Sequence, residues 1–437
     1  GVPKSNALYD RALEVLPGGT QLFSRRADRF VPGVTPMYLE RAEGVHLWDV
    51  DGNEYLDFGM GCGPVILGHA YPAVTEAVIA QAQRGNCLTV NSPLEIELAE
   101  LLIELVPCAE MVRFLKCGGE TNAAAVRIAR GYTGRDVVLF CGYHGWHDWY
   151  LAANLLGPDT LNGHLLPGLD TRGVPQALAG TAIPFEYNNL DSLRAALEEN
   201  RGRVGCIMLE AARSKRPAPG FLEGVRALAD EHGAVLIFDE VVTGFRLALG
   251  GAQEYFGVMP DLCTFAKALS NGIPLGAVCG RGDIMASAAT MFISSTYFSD
   301  TIGLAAGVAT LTELRDRPVI PHLWAMGERL QEGLRALAAR RELAFHCDGF
   351  PPVLHMGFDE PDEHQRIVMT TAYLQELVKR GILCLMGAYL SYSHTAEDID
   401  AYLLAADEAF GVVKQGLAAG DLERRCEGGL WGEHFRR

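Results

Sequence analysis

Paired cysteines, basic charge and long apolar runs are what this chain has least of. Its eleven Cys are an odd number in 437 residues, and none lies in a C-x-x-C pair. That excludes a disulfide scaffold and points to a reducing, cytoplasmic address. Lys and Arg total 37 against 54 Asp and Glu, a formal charge of −17, which argues against a nucleic-acid partner because a phosphate backbone selects basic surfaces. No uncharged apolar stretch approaches the roughly 18 residues that a bilayer crossing needs. Gly1 to Ser5 carries no apolar segment behind its charge, so a soluble protein with neither signal nor anchor, and no membrane partner, is expected. Internal repeats and low-complexity tracts are also missing. What is present is 49% hydrophobic and 21% charged residues, ample for packed cores and incompatible with overall disorder. At roughly 150 residues per domain the length suggests two or three lobes.

The 49 Gly are scattered as single turns, and short β-branched segments sit between amphipathic stretches, the rhythm of alternating β and α units. Met111 to Leu115 reads as a strand, Cys117-Gly118-Gly119 as a tight turn, Thr121 to Gly131 as an Ala-rich helix, and Val137 to Phe140 as the next strand. Val204 to Leu209 and Ala234 to Phe238 are apolar runs too short and too β-branched for helices, as buried parallel strands are. Helices intervene, with Leu94, Leu98, Leu101, Leu102 and Leu105 on one face and Phe221, Val225, Leu228 and Ala229 on another. The expectation is an α/β fold, a mostly parallel central sheet covered by helices over residues 59–310. A smaller α+β domain is expected from both termini, residues 1–58 and 311–437. Within it, Val45 to Asp57 alternates around Asp51-Gly52 and predicts a β-hairpin with a primed turn, and Val353 to Met356 is the best later strand.

In an open α/β sheet ligands bind beyond the carboxyl ends of the strands. Glu210, Asp239 and Lys267 each follow an apolar run, spaced by 29 and then 28 residues, about one strand and one helical crossover apart. Three successive strand ends can thus face one crevice. A carboxylate and a lysine in that setting suit pyridoxal 5'-phosphate, where the lysine holds the aldehyde as a Schiff base and the acid pairs with the ring nitrogen. Opposite charge favours the protonated ring, and Lys267 released by an incoming amine can serve as general base and acid. The strand, Gly118-Gly119, helix arrangement offers backbone N–H groups to the phosphate. Besides a place at the cofactor, Glu210 has an alternative reading as a residue that caps a strand or orients Arg213. Tyr143 and His144 have an alternative reading as core residues in a glycine-framed turn. Trp146 to Trp149 look like a metal or substrate cluster, but adjacent loop residues seldom converge on one ion, so no metal is expected. Cys117 reads as an inert small residue.

Phe238-Asp239-Glu240-Val241-Val242-Thr243-Gly244-Phe245-Arg246, then Pro260-Asp261-Leu262 and Lys267-Ala268-Leu269-Ser270-Asn271-Gly272, resemble the signature of class III, fold type I pyridoxal-phosphate aminotransferases. Trp48 to Gly52, Leu67 to Ala70, Arg127 to Arg130, Thr133 to Arg135 and Gly142 to Gly145 resemble that family in the right order. The likeness spans roughly residues 15 to 310 and is strongest to the glutamate-1-semialdehyde aminomutase-like branch. It implies Lys267 as the Schiff-base lysine and Asp239 as partner of the ring nitrogen. Tyr143 is implied to stack on one face of the ring and Val241 to pack on the other, with His144 and Glu210 beside the cofactor. Gly118 and Gly119 would bind the phosphate, joined by Ser295 and Thr296 of a neighbouring subunit in a symmetric homodimer. Arg25 matches the carboxylate-binding arginine of the aminomutase branch, and Arg213 adds a cation to the substrate pocket.

Three departures bear on substrate. The phosphate turn of the family usually reads Ser-Gly-Thr/Ser-Glu-Ala, whereas this chain has Cys117-Gly118-Gly119-Glu120-Thr121. Its usual Glu-Pro-Val is replaced by Glu210-Ala211-Ala212-Arg213, and Met386 stands where the aminomutase site has an acidic residue. The implied activity is amino-group transfer between a carboxylate-bearing amine donor and a 2-oxo acid or aldehyde acceptor by ping-pong half-reactions. The alternative is an intramolecular aminomutase of the glutamate-1-semialdehyde type.

Overall fold

A computed structural model describes residues 1–212 and 214–432, which fall into two compact units. Gly1–Tyr71 with residues 321–432 forms one, and residues 72–320 the other. No helix among the described residues is long and apolar enough to cross a membrane.

The first unit opens with an antiparallel meander of β1 (Leu39–Glu43), β2 (His46–Asp49) and β3 (Glu54–Asp57). The hairpin between β2 and β3 forms where the alternation placed it, but its turn is not primed. Gly52 alone in the turn takes a positive φ, 92°. The Asp49 carboxylate gathers the N–H groups of Asp51 at 3.0 Å and Asn53 at 2.8 Å, so a side chain shapes a four-residue loop that a two-residue primed turn would otherwise make.

The second unit is built on one seven-stranded sheet: β4 (Met111–Leu115), β5 (Val137–Cys141), β6 (Ala182–Pro184), β7 (Val204–Leu209), β8 (Val235–Asp239), β9 (Leu262–Phe265) and β10 (Gly276–Gly280). Their order is β4-β10-β9-β8-β7-β5-β6. β10 alone runs against its neighbours, while β6, β5, β7, β8 and β9 are parallel. Every residue of β5, β7, β8, β9 and β10 is buried, as strands covered on both faces must be. The helix Gly118–Thr133 begins three residues earlier than its Ala-rich run suggests, because Gly118 and Gly119 form its first turn. Ala124, Ala125, Ile128 and Ala129 of that helix are buried in a cluster with Phe140, Met208 and Ile237 of the sheet, and the small side chains let the helix axis approach closely.

The first unit resumes with helices Val319–Arg340, Glu363–Lys379 and Ala396–Ala419. They accompany β11 (Phe345–Phe350), β12 (Val353–Phe358), β13 (Ile382–Leu383) and β14 (Gly387–Tyr389). β13 extends the N-terminal meander in parallel with β3, so both termini contribute to one sheet. His394 ties these parts together. Its Nε2 lies 3.0 Å from the Asp57 carbonyl and its Nδ1 accepts the Ser391 N–H at 2.9 Å, a pattern that the neutral ring satisfies completely. Burial pushes its pKa down to about 4. The folded protein therefore binds the neutral ring, and stability conferred by His394 is full above the ordinary histidine value and falls as pH drops from about 6.5 to 4. Chemical denaturation of wild type and His394→Gln across that window should show the stability difference between them shrinking by about 3 kcal/mol on acidification. A difference independent of pH would contradict this assignment.

Candidate active site

The carboxyl ends of β8 and β9 put the central groups side by side. Asp239 closes β8 and pairs in register with Thr264 of β9, and Lys267 follows β9 by two residues. Asp239 is 5% exposed, and a carboxylate so far from water requires donors. It has three. Asn122 Nδ2 donates to Oδ2 at 2.8 Å, His144 Nδ1 lies 2.8 Å from the same oxygen, and the Val241 N–H donates to Oδ1 at 3.0 Å. A carboxylate offers about four acceptor positions, which leaves one on Oδ1. The His144 ring is buried, and its other nitrogen faces the Cys141 carbonyl at 3.1 Å. Both ring nitrogens of His144 thus face protein oxygens, one of them the Asp239 carboxylate.

Lys267 has φ 32°, a left-handed conformation rare for a residue with a side chain. Such strain persists where surrounding structure imposes it, and it clusters at functional positions. Here it sits at the start of a short 3-10 turn, Lys267–Ser270, directly after β9.

The turn at 117–119 is shaped for close approach. Cys117 precedes the helix without capping it through its side chain, so the first N–H groups keep their capacity for an anion. A Cβ on Gly118 would stand 2.9 Å from Val241 Cγ1, and one on Gly145 would stand 2.7 Å from the Gly119 Cα. Gly145 has φ 109°, which only glycine takes readily. These contacts bring Gly118, Gly119, Val241 and the 142–147 loop to one place. On the same loop, the Tyr143 N–H donates to Glu210 Oε2 at 3.0 Å, and Gly142 leaves room for that carboxylate, since a Cβ there would meet Oε2 at 2.4 Å. Glu210 therefore anchors the loop that carries Tyr143. Tyr143 is 41% exposed, and its ring meets that of Tyr150 edge-on at 5.8 Å. Desolvation, then the charges of Asp239 and Glu210, push its phenol pKa up, so it keeps its proton at neutral pH.

Not every candidate converges. Ser295 and Thr296 are exposed on the segment after β10. Arg25 lies in the first unit, exposed, on the turn Phe23–Arg25. Arg26 pairs with Asp28, and Arg29 bonds the Gly432 carbonyl, while Arg25 is exposed on its turn. Arg213 lies outside the described residues. Two participants went unnoticed in the sequence, Asn122 and Thr264. Thr264 donates to Asn122 Oδ1 at 2.6 Å, and both are buried. The one available signal was a hydroxyl inside the apolar run 262–265. Neighbouring Glu240 faces elsewhere. It accepts from Thr243 and from the N–H groups of Ala252 and Gln253, and burial raises its pKa.

The family model for aminotransferase class-III matches residues 30–391. A glutamate-1-semialdehyde 2,1-aminomutase of Syntrophobacter fumaroxidans is 38% identical over 433 residues, covering 94% of this chain and 98% of that protein. A 3-aminobutyryl-CoA aminotransferase of Cloacimonas acidaminovorans is 33% identical, covering 95% and 98%. Among solved structures, the FumI protein of Sphingopyxis sp. MTA144, in its PLP internal aldimine form, superposes with a TM-score of 0.87 at 27% identity, covering 95% of this chain and 98% of that one. The expected fold, mixed α/β with a large mostly parallel sheet, is borne out.

Gly145→Ala should force the 142–147 loop away from the 118–119 turn. We expect a loss of about 2 kcal/mol or more in denaturation together with weaker retention of a phosphate-bearing ligand. Unchanged stability and binding would show that the close approach is dispensable.

Proposed function

From the premise that the chain belongs to the class-III aminotransferases, whose cofactor is pyridoxal 5'-phosphate, we propose that it moves an amino group between a carboxylate-bearing amine and a 2-oxo acid or aldehyde. The observation that carries this reading is Asp239, buried, held by three donors and left with one acceptor position beside the strand end that bears Lys267. The residues fit the cofactor: a helix start at Gly118 and Gly119 with no side-chain cap suits its phosphate, and the partly exposed Tyr143 and the Val241 side chain that packs on Gly118 are of the kind that cover a planar ring.

When bound, the cofactor supplies a sink for the electron pair left by a breaking bond at the substrate Cα. Asp239 would pair with the ring nitrogen and favour its cationic form. Lys267 would hold the aldehyde through its amine and could move a proton at the substrate Cα. Gly118 and Gly119 bind the phosphate through backbone N–H groups. Tyr143 and Val241 pack on the two ring faces, His144 supports Asp239, and Glu210 fixes the loop of Tyr143. Arg25, exposed on its turn, is suited to a substrate carboxylate, and Arg213 is proposed for the same class of contact.

Ser295 and Thr296 are proposed to complete the phosphate site of a neighbouring subunit in a homodimer. The segment that carries them also exposes Phe292 at 81% and Tyr297 at 60%, apolar surface that a partner subunit would cover. A cytoplasmic location is supported by the free state of all eleven cysteines, including Cys108 and Cys263 with sulfurs 3.3 Å apart. An intramolecular aminomutase is the second reading, favoured by the 38% identity to a protein of that name and opposed by Met386.

Adding an amine donor from a broad panel to the loaded protein should bleach the visible band of the lysine-bound cofactor, and an oxo acid should restore it. Lys267→Ala should lower turnover by on the order of 1000-fold or more. Product formed from a single substrate without an oxo acceptor would favour the aminomutase, and unchanged turnover in Lys267→Ala would refute the site.

A further inference from the structure

Asp239 can help a ring nitrogen only if its one remaining acceptor position points the right way. Its own backbone does not secure this, because rotation about the bond to the carboxyl group is soft. Three contacts secure it, and the Asn122 amide has the most constrained geometry of the three. The NH₂ of Asn122 donates to Asp239 Oδ2 at 2.8 Å and lies 3.3 Å from the His144 carbonyl, while its Oδ1 accepts from the Thr264 hydroxyl at 2.6 Å. The reversed amide would set its oxygen against a carboxylate and a carbonyl, so the donor end must face Asp239. Asn122 is 2% exposed and Thr264 fully buried, so water cannot replace either partner cheaply.

We infer that Asn122 and Thr264 are positioning residues: Thr264 orients the Asn122 amide, and Asn122 holds Asp239 Oδ2 so that Oδ1 is presented to the cofactor's ring nitrogen. The inference rests on the proposed role of Asp239. The choice of an amide has a physical reason. A neutral donor restrains the carboxylate without cancelling its charge, whereas a lysine or arginine in the same place would compete with the cationic ring for it. The pair spans three elements. Asn122 comes from the helix after the phosphate turn, Thr264 from β9 and Asp239 from β8, so phosphate site and ring-nitrogen site are locked in one frame.

The test separates orientation from mere stability. Dissociation constants of pyridoxal 5'-phosphate, and of the analogue whose ring nitrogen is replaced by C–H, are measured on wild type, Asp239→Ala, Asn122→Ala, Thr264→Val and Thr264→Ser. Wild type prefers the natural cofactor, and Asp239→Ala loses that preference. Asn122→Ala should reduce the preference roughly tenfold, the worth of one hydrogen bond to a charged group. Thr264→Val should shift it in the same direction by less, and Thr264→Ser should retain the wild-type value. If Asn122→Ala or Thr264→Val weakened both ligands equally, leaving the preference intact while Asp239→Ala abolished it, the positioning role would be overturned and that of Asp239 would stand. If Asp239→Ala kept the wild-type preference, the underlying reading of Asp239 would fall, and this inference with it. Should Asn122→Ala not fold, the two Thr264 variants decide the matter alone.

Discussion

A carboxylate carried out of water must be met by donors from several directions at once, and that demand at Asp239 organises the second unit. The donors come from a helix (Asn122), a loop (His144) and the chain just beyond its own strand (Val241). None of these is near Asp239 in sequence except the last. Parallel strands bring the elements together because each ends at the same edge of the sheet and each connection returns over its face. Glycines at 118, 142 and 145 then let backbone approach where a side chain would collide. The open acceptor position on Oδ1 is what remains after the structural need has been met.

The same frame explains how a departure in the phosphate turn can be accommodated. Where the family turn carries hydroxyls, this chain has Cys117 and Gly119. The helix start has no side-chain cap, so on the proposed reading its backbone N–H groups would stand in for those side chains. The cost is close packing: Gly119 is hemmed in by Gly145 and by the His147 ring.

Much of this was legible in the chain. The strands ending at Leu209 and Asp239 were visible as short β-branched runs, because strands buried on both faces have no polar alternation to blur them. Glu210, Asp239 and Lys267 stood out because a charge directly after an apolar run has few reasons to be there. Other features left no local trace. Asn122 sits in an Ala-rich helix 117 residues from its partner, and nothing in spacing announces a hydrogen bond across that separation. The reversed direction of β10 is set by pairing with β4 and β9, not by its own composition. The turn at 49–53 misled because Asp-Gly usually signals a primed hairpin, while the Asp49 side chain imposed another geometry. Likewise the role of Glu210 as loop anchor depends on Gly142, a relation visible only in three dimensions.

The most direct measurement is NMR of the bound cofactor labelled with heavy nitrogen at its ring position, recorded against pH in wild type and Asp239→Ala. The account requires a protonated ring nitrogen throughout the neutral and mildly alkaline range in wild type, and its loss when the carboxyl group is removed. A ring nitrogen that is unprotonated in wild type at neutral pH, or indifferent to the substitution, would contradict it.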